Sequence, residues 1–448
     1  MALKAALLSL GCKVNSYETE RIREDMEAKG FQIVNFEEKA DVYIVNTCSV
    51  TNIADRKSRQ MLHKARLLNP DALIVATGCY VQTAKDDEKL LDAADIIIGN
   101  NHKSDIAQLI TEKLSNKTEK KDTNNLLDDI GCEKDVEDLK IFDYPERSRA
   151  FVRIEDGCNQ FCTYCIIPYA RGRVRSRSEE DILTEVRNLA AKGFKEVVIT
   201  GIHLSSYGIS DYEKVNKGEW DHTKLLDLLI KVDAIEGIER IRLGSLEPRI
   251  INRDFAIALK NLKSFCPHFH LSLQSGCDTV LKRMNRHYTA SEFLERVTIL
   301  REVFDRPAIT TDVITGFPGE TEEEFEEGLK MLETASFSKM HIFKYSRRKG
   351  TVADRMQGQL TDRVKHERSL VLQKLDDENH LHYASTFVGQ EVNVLIEEEK
   401  DGVLTGLTER YLTVKTKNRN NLATINSIVK VRVKEVEKDG IITGEIIF

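Results

Sequence analysis

The chain has 448 residues, of which 41% are hydrophobic and 31% are charged, and 73 acidic against 66 basic residues give a net charge of −7. This length exceeds one ordinary domain and predicts about three. The acidic balance argues against a protein that binds nucleic acid over its whole surface. The sequence has no long apolar run and no charged-then-apolar leader, which predicts a soluble cytoplasmic protein that does not enter a membrane.

The first hundred residues alternate short apolar runs with charged stretches. The runs cover residues 5–10, 42–45, 73–76 and 96–98. Short continuous apolar runs at near-regular spacing are typical of buried parallel strands in βαβ units. We therefore predict an open parallel α/β sheet in an N-terminal domain of residues 1–112.

A cysteine follows each of the first three runs almost at once, at Cys12, Cys48 and Cys79. In a parallel sheet the carboxyl ends of the strands share one edge, where ligands bind in this fold class. A single thiol of this kind could be a small buried apolar side chain. Three at the same structural position predict a three-thiol ligand site.

Residues 113–146 are polar and rich in charge, which predicts a linker. Cys132 lies in this segment, and we predict no role for it; Cys266 and Cys277 are expected to be plain buried side chains. The nine cysteines are an odd number at spacings unlike a secreted disulfide framework. Free thiols or thiolate ligands in a reducing compartment are therefore expected.

Cys158, Cys162 and Cys165 form a C-x₃-C-x₂-C segment directly after the apolar run 151–154. Three thiolates can hold three irons of a cubane iron–sulfur cluster and leave the fourth iron open. An open iron suits the amino and carboxylate groups of S-adenosylmethionine, which one electron then cleaves. The alternative is a structural zinc site, but zinc prefers four protein ligands, and no nearby Cys or His supplies the fourth.

A second series of strand and helix patterns follows and predicts a partial (β/α)6 barrel over residues 147–380. The predicted strands cover residues 151–154, 196–200, 240–243, 269–273, 309–314 and 340–345. In barrels the chemistry gathers at the carboxyl ends of the strands. Thr321 with Glu324 is a capping-box pattern, so this glutamate is assigned to a helix start.

From residue 387 the pattern changes to short runs of alternating polarity, which predict a small antiparallel β-barrel over residues 381–448. Lys415, Lys417 and Arg419 cluster near Tyr411, which favours RNA contact, although such barrels also merely cap a neighbour. The basic runs 171–177 and 344–349 are further candidates for RNA backbone contact. For the first run, a solvated or core-bracing role is the alternative.

The combination of three spaced cysteines in an α/β domain, a C-x₃-C-x₂-C segment that opens a barrel, and a terminal β-barrel resembles the radical SAM methylthiotransferases over essentially the whole chain. Residues 11–20, Gly-Cys-Lys-Val-Asn-Ser-Tyr-Glu-Thr-Glu, resemble the branch that modifies N6-threonylcarbamoyladenosine in tRNA. The sister branches usually carry Asp-Ser-Glu in place of Glu18-Thr19-Glu20.

The resemblance implies two 4Fe-4S clusters, with S-adenosylmethionine as radical source and methyl donor. It assigns the first cluster to Cys158, Cys162 and Cys165, and the auxiliary cluster to Cys12, Cys48 and Cys79. It also implies S-adenosylmethionine contacts at Tyr164, Gly201, His203, Ser245, Glu247, Gln274, Ile314 and Gly316. His203 stands where the superfamily has a glutamate, and for His203, Ser245 and Gln274 the alternative is a hydrogen bond that only organises a strand end.

The implied activity is the addition of a methylthio group to C2 of N6-threonylcarbamoyladenosine next to the anticodon. Alternatives are the same chemistry on isopentenyladenosine in tRNA or on a ribosomal-protein aspartate, and a non-catalytic metal-containing RNA-binding protein. The expected partners are a tRNA anticodon stem-loop, an electron donor such as flavodoxin or ferredoxin, and a sulfur source. We expect a monomer with a TRAM-like terminal barrel.

Overall fold

The computed structural model describes residues 2–84, 92–115, 124–133, 135–137, 139–144, 148–209, 221–418 and 423–447. These residues form an N-terminal sheet, a central partial barrel and a small C-terminal barrel. Among the helices described, none combines the length and the apolar content that crossing a bilayer requires.

The N-terminal sheet has six parallel strands in the order β2-β1-β3-β4-β5-β6. They are β1 (Lys4–Ser9), β2 (Gln32–Val34), β3 (Val42–Thr47), β4 (Leu73–Gly78), β5 (Ile96–Ile98) and β6 (Asn124–Leu126). The helices are α1 (Lys13–Ala28), α2 (Asn52–Leu68), α3 (Cys79–Thr83) and α4 (Ile106–Ser115). The strand order reverses between β1 and β3, so the carboxyl ends of these two strands flank the crevice where ligands bind in open α/β sheets.

All four predicted N-terminal strands are confirmed, as β1, β3, β4 and β5. The prediction of a linker over residues 113–146 was wrong for part of that segment. Strand β6 adds to the edge of the sheet beside β5, and Leu139, Ile141 and Tyr144 are buried in the core of the central barrel. Isolated apolar side chains in a polar segment show no periodicity, so the sequence pattern does not predict their burial. In the structure these side chains pack into the barrel core and help to connect the two domains.

The central barrel consists of two parallel sheets, β11-β10-β7 and β12-β13-β14-β15, with a short antiparallel pair of β8 and β9. The strands are β7 (Arg149–Arg153), β8 (Glu155–Asp156), β9 (Arg175–Ser176), β10 (Glu196–Thr200), β11 (Arg240–Leu243), β12 (Ser245–Leu246), β13 (His268–Gln274), β14 (Ala308–Thr315) and β15 (Lys339–Lys344). The six predicted barrel strands are confirmed as β7, β10, β11, β13, β14 and β15.

Eight helices are described around this barrel, and their apolar faces cover the strands in one large core. They are α5 (Ile167–Arg171), α6 (Glu179–Ala191), α7 (Thr223–Asp233), α8 (Arg253–Lys260), α9 (Asp278–Arg283), α10 (Ala290–Val303), α11 (Glu322–Ala335) and α12 (Asp362–Ser385). The predicted capping box of Thr321 and Glu324 is present at the start of α11.

The C-terminal strands close into a barrel in the order β16-β17-β18-β20-β19. They are β16 (Glu391–Lys400), β17 (Val403–Thr408), β18 (Thr413–Lys417), β19 (Ile428–Val436) and β20 (Ile442–Ile447). The predicted small barrel is confirmed, although its β18–β20 pair is parallel. Strand β18 begins after Tyr411, whose φ of +57° places it in a turn.

Two buried arginines of β11 join the central barrel to the C-terminal barrel. Arg240 and Arg242 both pair with the buried carboxylate of Glu196, at 3.4 and 2.7 Å. Their guanidinium groups also donate hydrogen bonds to backbone carbonyl oxygens of the C-terminal barrel, those of Asn393, Leu407, Thr408 and Glu409. Because these donors are fully satisfied only when the barrel is docked, the junction has one defined geometry.

Replacing Glu196 with alanine leaves two buried guanidinium groups without their carboxylate. We expect Glu196→Ala to lower the free energy of unfolding by about 3–5 kcal/mol, measured in the urea transition that releases the C-terminal barrel. The control is Glu239→Ala, which removes an exposed pair with Lys195 and should cost about 1 kcal/mol or less. Equal effects of the two variants would contradict this account of the junction.

Candidate active site

The first three predicted ligand residues lie together at the carboxyl edge of the N-terminal sheet. Cys12, Cys48 and Cys79 follow β1, β3 and β4, which are neighbouring strands. The charges of the three thiols act on one another. Burial raises the pKa of Cys12 and raises that of Cys48 to about 12. Topology therefore gathers thiols that are up to 67 residues apart in the chain into one place.

Two features at the ends of β1 and β3 hold these loops together. Gly11 has a φ of +99°, and a Cβ atom there would lie 2.6 Å from Cys48 Sγ, so only glycine permits this approach. Asn15 Nδ2 donates hydrogen bonds to the carbonyl oxygens of Leu10 and Thr47, at 2.8 and 2.9 Å. These contacts connect the loop after β1 to the end of β3 across the crevice.

The second set, Cys158, Cys162 and Cys165, lies on the loop that follows β8. The charges of these three thiols also act on one another, and burial raises the pKa of Cys158 well above its ordinary value and that of Cys165 to about 12. Arg286 Nη1 donates to Cys162 Sγ at 3.3 Å. The Arg286 side chain is 7% exposed and follows α9, so a largely buried cation lies beside this loop.

The two cysteine sets lie close together. The charge of Cys79 raises the pKa of Cys165, after the larger effects of burial and of Cys162. Helices α3 and α5, which begin near these cysteines, pack against each other. The fold therefore brings both predicted cluster sites to one region between the N-terminal domain and the central barrel.

A buried network of charges lies at this junction, and Glu18 of α1 is its centre. Glu18 accepts from Lys103 at 2.6 Å, from Arg171 at 2.9 Å and from Arg153 at 3.2 Å. Arg171 and Arg153 also bind Asp156, two residues before Cys158, at 3.1 and 3.3 Å. Burial by itself raises the pKa of Glu18, but Arg171 and Lys103 hold that pKa well below its ordinary value.

The basic run 171–177 is mainly part of the interior. Arg171, Arg175 and Arg177 are buried, and Arg177 pairs with the buried Glu185 at 2.7 Å. Arg173 is the arginine of the run whose side chain is exposed. Expecting the whole run to bind RNA was therefore wrong, and the core-bracing alternative holds for three of its four arginines.

The second basic run, 344–349, is divided in the same way. Arg348 is buried and pairs with Asp55 of α2 at 2.6 Å, while Ser49 accepts its other amino group at 2.7 Å. Lys344 and Lys349 remain exposed. Arg348 thus fastens the N-terminal domain to the barrel and is not available to a phosphate.

Tyr411, which was expected beside a basic cluster that favours RNA contact, packs instead against the central barrel. The Arg242 guanidinium lies 3.8 Å from the centre of the Tyr411 ring, and the ring of His268 meets it edge-on. Lys415 pairs with Glu437 at 3.4 Å, and the predicted neighbour Arg419 lies outside the described residues. Tyr411 lies in a turn with a left-handed backbone, and its ring contacts the central barrel.

Gly201 and His203 form a loop over a carboxylate that the sequence analysis missed. Glu155, the first residue of β8, accepts the His203 backbone N–H at 2.8 Å, and a Cβ atom on Gly201 would lie 2.6 Å from Glu155 Oε2. Burial raises the pKa of Glu155 well above its ordinary value. His203 Nδ1 contacts Ser206 Oγ at 2.6 Å, so His203 does organise this strand end. An acidic residue next to a predicted barrel strand was the available signal.

Glu247 is buried between two arginines. Its carboxylate accepts from Arg286 at 3.0 Å and from Arg249 at 2.9 Å. Burial opposes ionisation, but Arg286 in particular holds the pKa of Glu247 well below its ordinary value. Since Arg286 also contacts Cys162, Glu247 positions the side chain that supports the cysteine loop. Its direct contact with S-adenosylmethionine stays a prediction.

The remaining predicted contact residues fall into two groups. Tyr164 and Ile314 pack with Phe317 in one apolar cluster; that they flank a nucleoside stays a prediction. Gly316 adjoins them with a φ of +73°. Gln274 has a φ of +75° where the register of β13 shifts. Ser245 instead lines the central cavity, as does Gly201.

A cavity of about 890 Å³ lies between the three domains. The N-terminal domain contributes Cys12 and Lys13, the barrel interior contributes His270 and His341, and the C-terminal barrel contributes Arg410 and Tyr411. Cys12 is deep in the molecule and yet accessible, because it faces this cavity. A substrate group in the cavity would therefore meet Cys12 of the first set directly.

The two cysteine sets fit the ligand requirement of cubane clusters. Each supplies three thiols, and each has a buried guanidinium close by, Arg171 for the first set and Arg286 for the second, which compensates the negative charge of a thiolate-bound cluster. Across the described ranges, no three His, Cys, Asp or Glu side chains converge closely enough to hold a single metal ion.

Removing the Glu18 carboxylate leaves Lys103, Arg153 and Arg171 with an excess of buried positive charge. We expect Glu18→Ala to lower the free energy of unfolding by about 3–5 kcal/mol in anaerobic urea titrations. The matched control on the same helix is Glu20→Ala, which loses a pair with Arg23 and should cost about 0.5 kcal/mol.

The same pair of variants gives a pH test. The pKa of Glu18 is lowered in the fold, so its stabilisation is complete above the unfolded value of about 4.3 and is lost as the pH falls towards the folded value. The stability difference between wild type and Glu18→Ala should stay constant from about pH 8 to pH 5 and shrink below about pH 4. A difference that shrinks near neutral pH would contradict the assignment.

The chain matches two families of known proteins. Residues 152–332 match the radical SAM superfamily, and residues 4–99 match the uncharacterized protein family UPF0004. The solved structure of the radical S-adenosylmethionine methyltransferase TsrM from Kitasatospora setae has the same fold, with a TM-score of 0.53 and 16% identity over 76% of this chain and 73% of TsrM.

Curated relatives extend the similarity over nearly the whole length. The threonylcarbamoyladenosine tRNA methylthiotransferase MtaB of Aquifex aeolicus is 39% identical over 96% of this chain and 100% of its own, and that of Bacillus subtilis is 38% identical over 96% and 93%. The tRNA-2-methylthio-N(6)-dimethylallyladenosine synthase of Caldicellulosiruptor saccharolyticus is 35% identical over 98% and 92%. The chain therefore belongs to the radical SAM methylthiotransferase family.

Proposed function

We propose that this protein adds a methylthio group to C2 of N6-threonylcarbamoyladenosine in tRNA, next to the anticodon. The observation that carries the proposal is the presence of two three-cysteine sites close together in one molecule, with Cys12 of one site opening into the central cavity. Full-length relatives named for this activity support the choice of nucleoside.

We assign one 4Fe-4S cluster to Cys158, Cys162 and Cys165, and a second to Cys12, Cys48 and Cys79. When bound, the clusters and S-adenosylmethionine supply the one-electron cleavage of the sulfonium, the sulfur and the methyl group. Tyr164, Gly201, His203, Ser245, Glu247, Gln274, Ile314 and Gly316 are proposed to hold or position S-adenosylmethionine.

The chain's own residues orient the reactants and exclude water. Arg286 and Arg171 place fixed positive charge beside the two cysteine sets, where it favours the thiolate form of the ligands. Glu155 holds the Gly201–His203 loop in one conformation through backbone hydrogen bonds. The cavity is deep enough to admit a base turned out of its stack, which the reaction requires because C2 is otherwise enclosed by neighbouring bases.

A second candidate nucleoside is dimethylallyladenosine in tRNA, since a relative with that substrate in its name is 35% identical over 98% of this chain. Both nucleosides would place the same C2 atom at the same site and differ only at N6. The choice between them therefore depends on the wall that meets the N6 substituent.

We further propose the setting in which the enzyme works. A flavodoxin or ferredoxin donates electrons, a separate sulfur source restores the transferred sulfur, and the protein acts as a monomer in the cytoplasm, where its tRNA substrate is. The domain division we propose is 1–112, 147–380 and 381–448, with 113–146 as a partly packed connection. The C-terminal barrel, which docks through Arg240 and Arg242, is proposed to contact the anticodon stem-loop through its exposed side.

The first test is the nucleoside composition of tRNA in cells without the gene, measured by mass spectrometry. We expect 2-methylthio-N6-threonylcarbamoyladenosine to be absent and its unthiolated precursor to accumulate. A gene copy with Cys162→Ala should fail to restore the product, because two cysteines cannot hold the first cluster. A copy with Cys132→Ala should restore it, since that exposed thiol belongs to neither set.

The alternatives predict other outcomes of this measurement. Loss of the 2-methylthio form of dimethylallyladenosine instead would establish the second candidate nucleoside. If every tRNA nucleoside were unchanged, the tRNA assignment would be wrong and a ribosomal-protein aspartate would be tested as the substrate.

The two cysteine sets should also be separable in vitro. With S-adenosylmethionine and dithionite under anaerobic conditions, we expect Cys12→Ala to retain formation of 5′-deoxyadenosine and to lose the methylthiolated RNA. Cys158→Ala should lose both products, because S-adenosylmethionine is cleaved at the set that contains Cys158. No cleavage by the reconstituted wild type would favour a non-catalytic RNA-binding protein.

A further inference from the structure

Lys13 lies on the wall of the central cavity, directly after Cys12. Its ammonium nitrogen is 5.8 Å from the centre of the Tyr411 ring. The guanidinium groups of Arg149 and Arg242 lie 5.3 and 3.8 Å from the centre of the same ring. Three cations therefore surround one aromatic side chain at this end of the cavity.

The two arginines already have carboxylate partners. Arg149 pairs with Glu397 at 2.8 Å, and Arg242 pairs with Glu196 at 2.7 Å. Within the described part of the chain, Lys13 forms no ion pair with a carboxylate. Its side chain is accessible from the cavity, so a ligand can reach it.

The other charged side chains that line the cavity are also paired. Lys339 contacts Asp376 at 2.6 Å, and Arg410 contacts Glu409 at 3.6 Å. Asp312 contacts His270 at 3.3 Å. Among the described residues of the cavity wall, Lys13 is thus the cation whose counter-charge is missing. An ammonium group that lies in a cavity beside two other cations is best stabilised by an anion.

The two candidate nucleosides differ in the chemistry that such an ammonium would recognise. The threonylcarbamoyl group ends in a carboxylate, whereas the dimethylallyl group is an uncharged hydrocarbon. A carboxylate can pair with Lys13, but a hydrocarbon in its place would desolvate the ammonium and give it no partner. A single side chain can therefore both favour one nucleoside and reject the other.

Building on the proposed function, we propose that Lys13 binds the carboxylate of the threonylcarbamoyl group and thereby selects N6-threonylcarbamoyladenosine. Lys13 adjoins Cys12, which is assigned to the sulfur-donating cluster. Anchoring the N6 substituent on this wall holds the adenine ring close to that cluster. Lys13 is a positioning and specificity residue in this account, and it takes no part in bond making.

The test uses anaerobically reconstituted holoenzyme and two anticodon stem-loop RNAs. One RNA carries N6-threonylcarbamoyladenosine, and the other carries its threonine methyl ester, which lacks the charge and is larger by one methyl group. We expect wild type to bind the acid about tenfold more tightly than the ester in fluorescence anisotropy titrations. Lys13→Met should abolish this preference, and Lys13→Arg should retain most of it. Iron and sulfide contents verify that the neighbouring cluster is intact in each variant.

Several outcomes would overturn the proposal. Equal binding of the acid and the ester by the wild type would by itself contradict the proposal, without any variant. If Lys13→Met weakens the binding of both RNAs equally, the lysine contacts an RNA phosphate instead. If the variant weakens the binding of S-adenosylmethionine in calorimetry, the lysine contacts the cofactor instead. If wild type cleaves S-adenosylmethionine but methylthiolates neither RNA, the proposed function itself fails, and the role of Lys13 fails with it.

Discussion

The arrangement of this protein depends on one buried carboxylate. Glu18 is on the helix that starts after Cys12, and it binds Arg171, which lies six residues after Cys165. Arg171 in turn binds Asp156, two residues before Cys158. Charges removed from water are stabilised only when their partners sit in the correct geometry. Because these partners flank both cysteine sets, the network determines how the two sites lie relative to each other.

Helix α1 contributes to the domain junction and to the cavity. The Glu18 side chain reaches three cations on different parts of the chain. A shorter side chain at this position would have to bring those cations closer. Lys13, one residue after Cys12, faces the cavity where the proposed substrates differ.

The C-terminal barrel has a structural part in the site as well as a proposed part in RNA contact. Tyr411 closes one end of the cavity, and the arginines of β11 hold the barrel there by binding its backbone carbonyl groups. The cavity consequently exists only when all three domains are together. A reactive site that is assembled in this way can exclude water while it admits one base from a tRNA loop.

The sequence alone determined the features that depend on local pattern. Apolar runs predicted the strands, the C-x₃-C-x₂-C spacing predicted a cluster loop, and the positions of Cys12, Cys48 and Cys79 after strands predicted their convergence at one sheet edge. Only the tertiary structure decided which polar residues are buried and what they contact. Arg171, which the sequence left open between RNA contact and a core-bracing role, binds Glu18 in the interior, and Glu155, which the sequence analysis missed, supports the Gly201–His203 loop. These contacts join residues from different domains or strands, and no local periodicity encodes them, because their partners are set by how the domains pack.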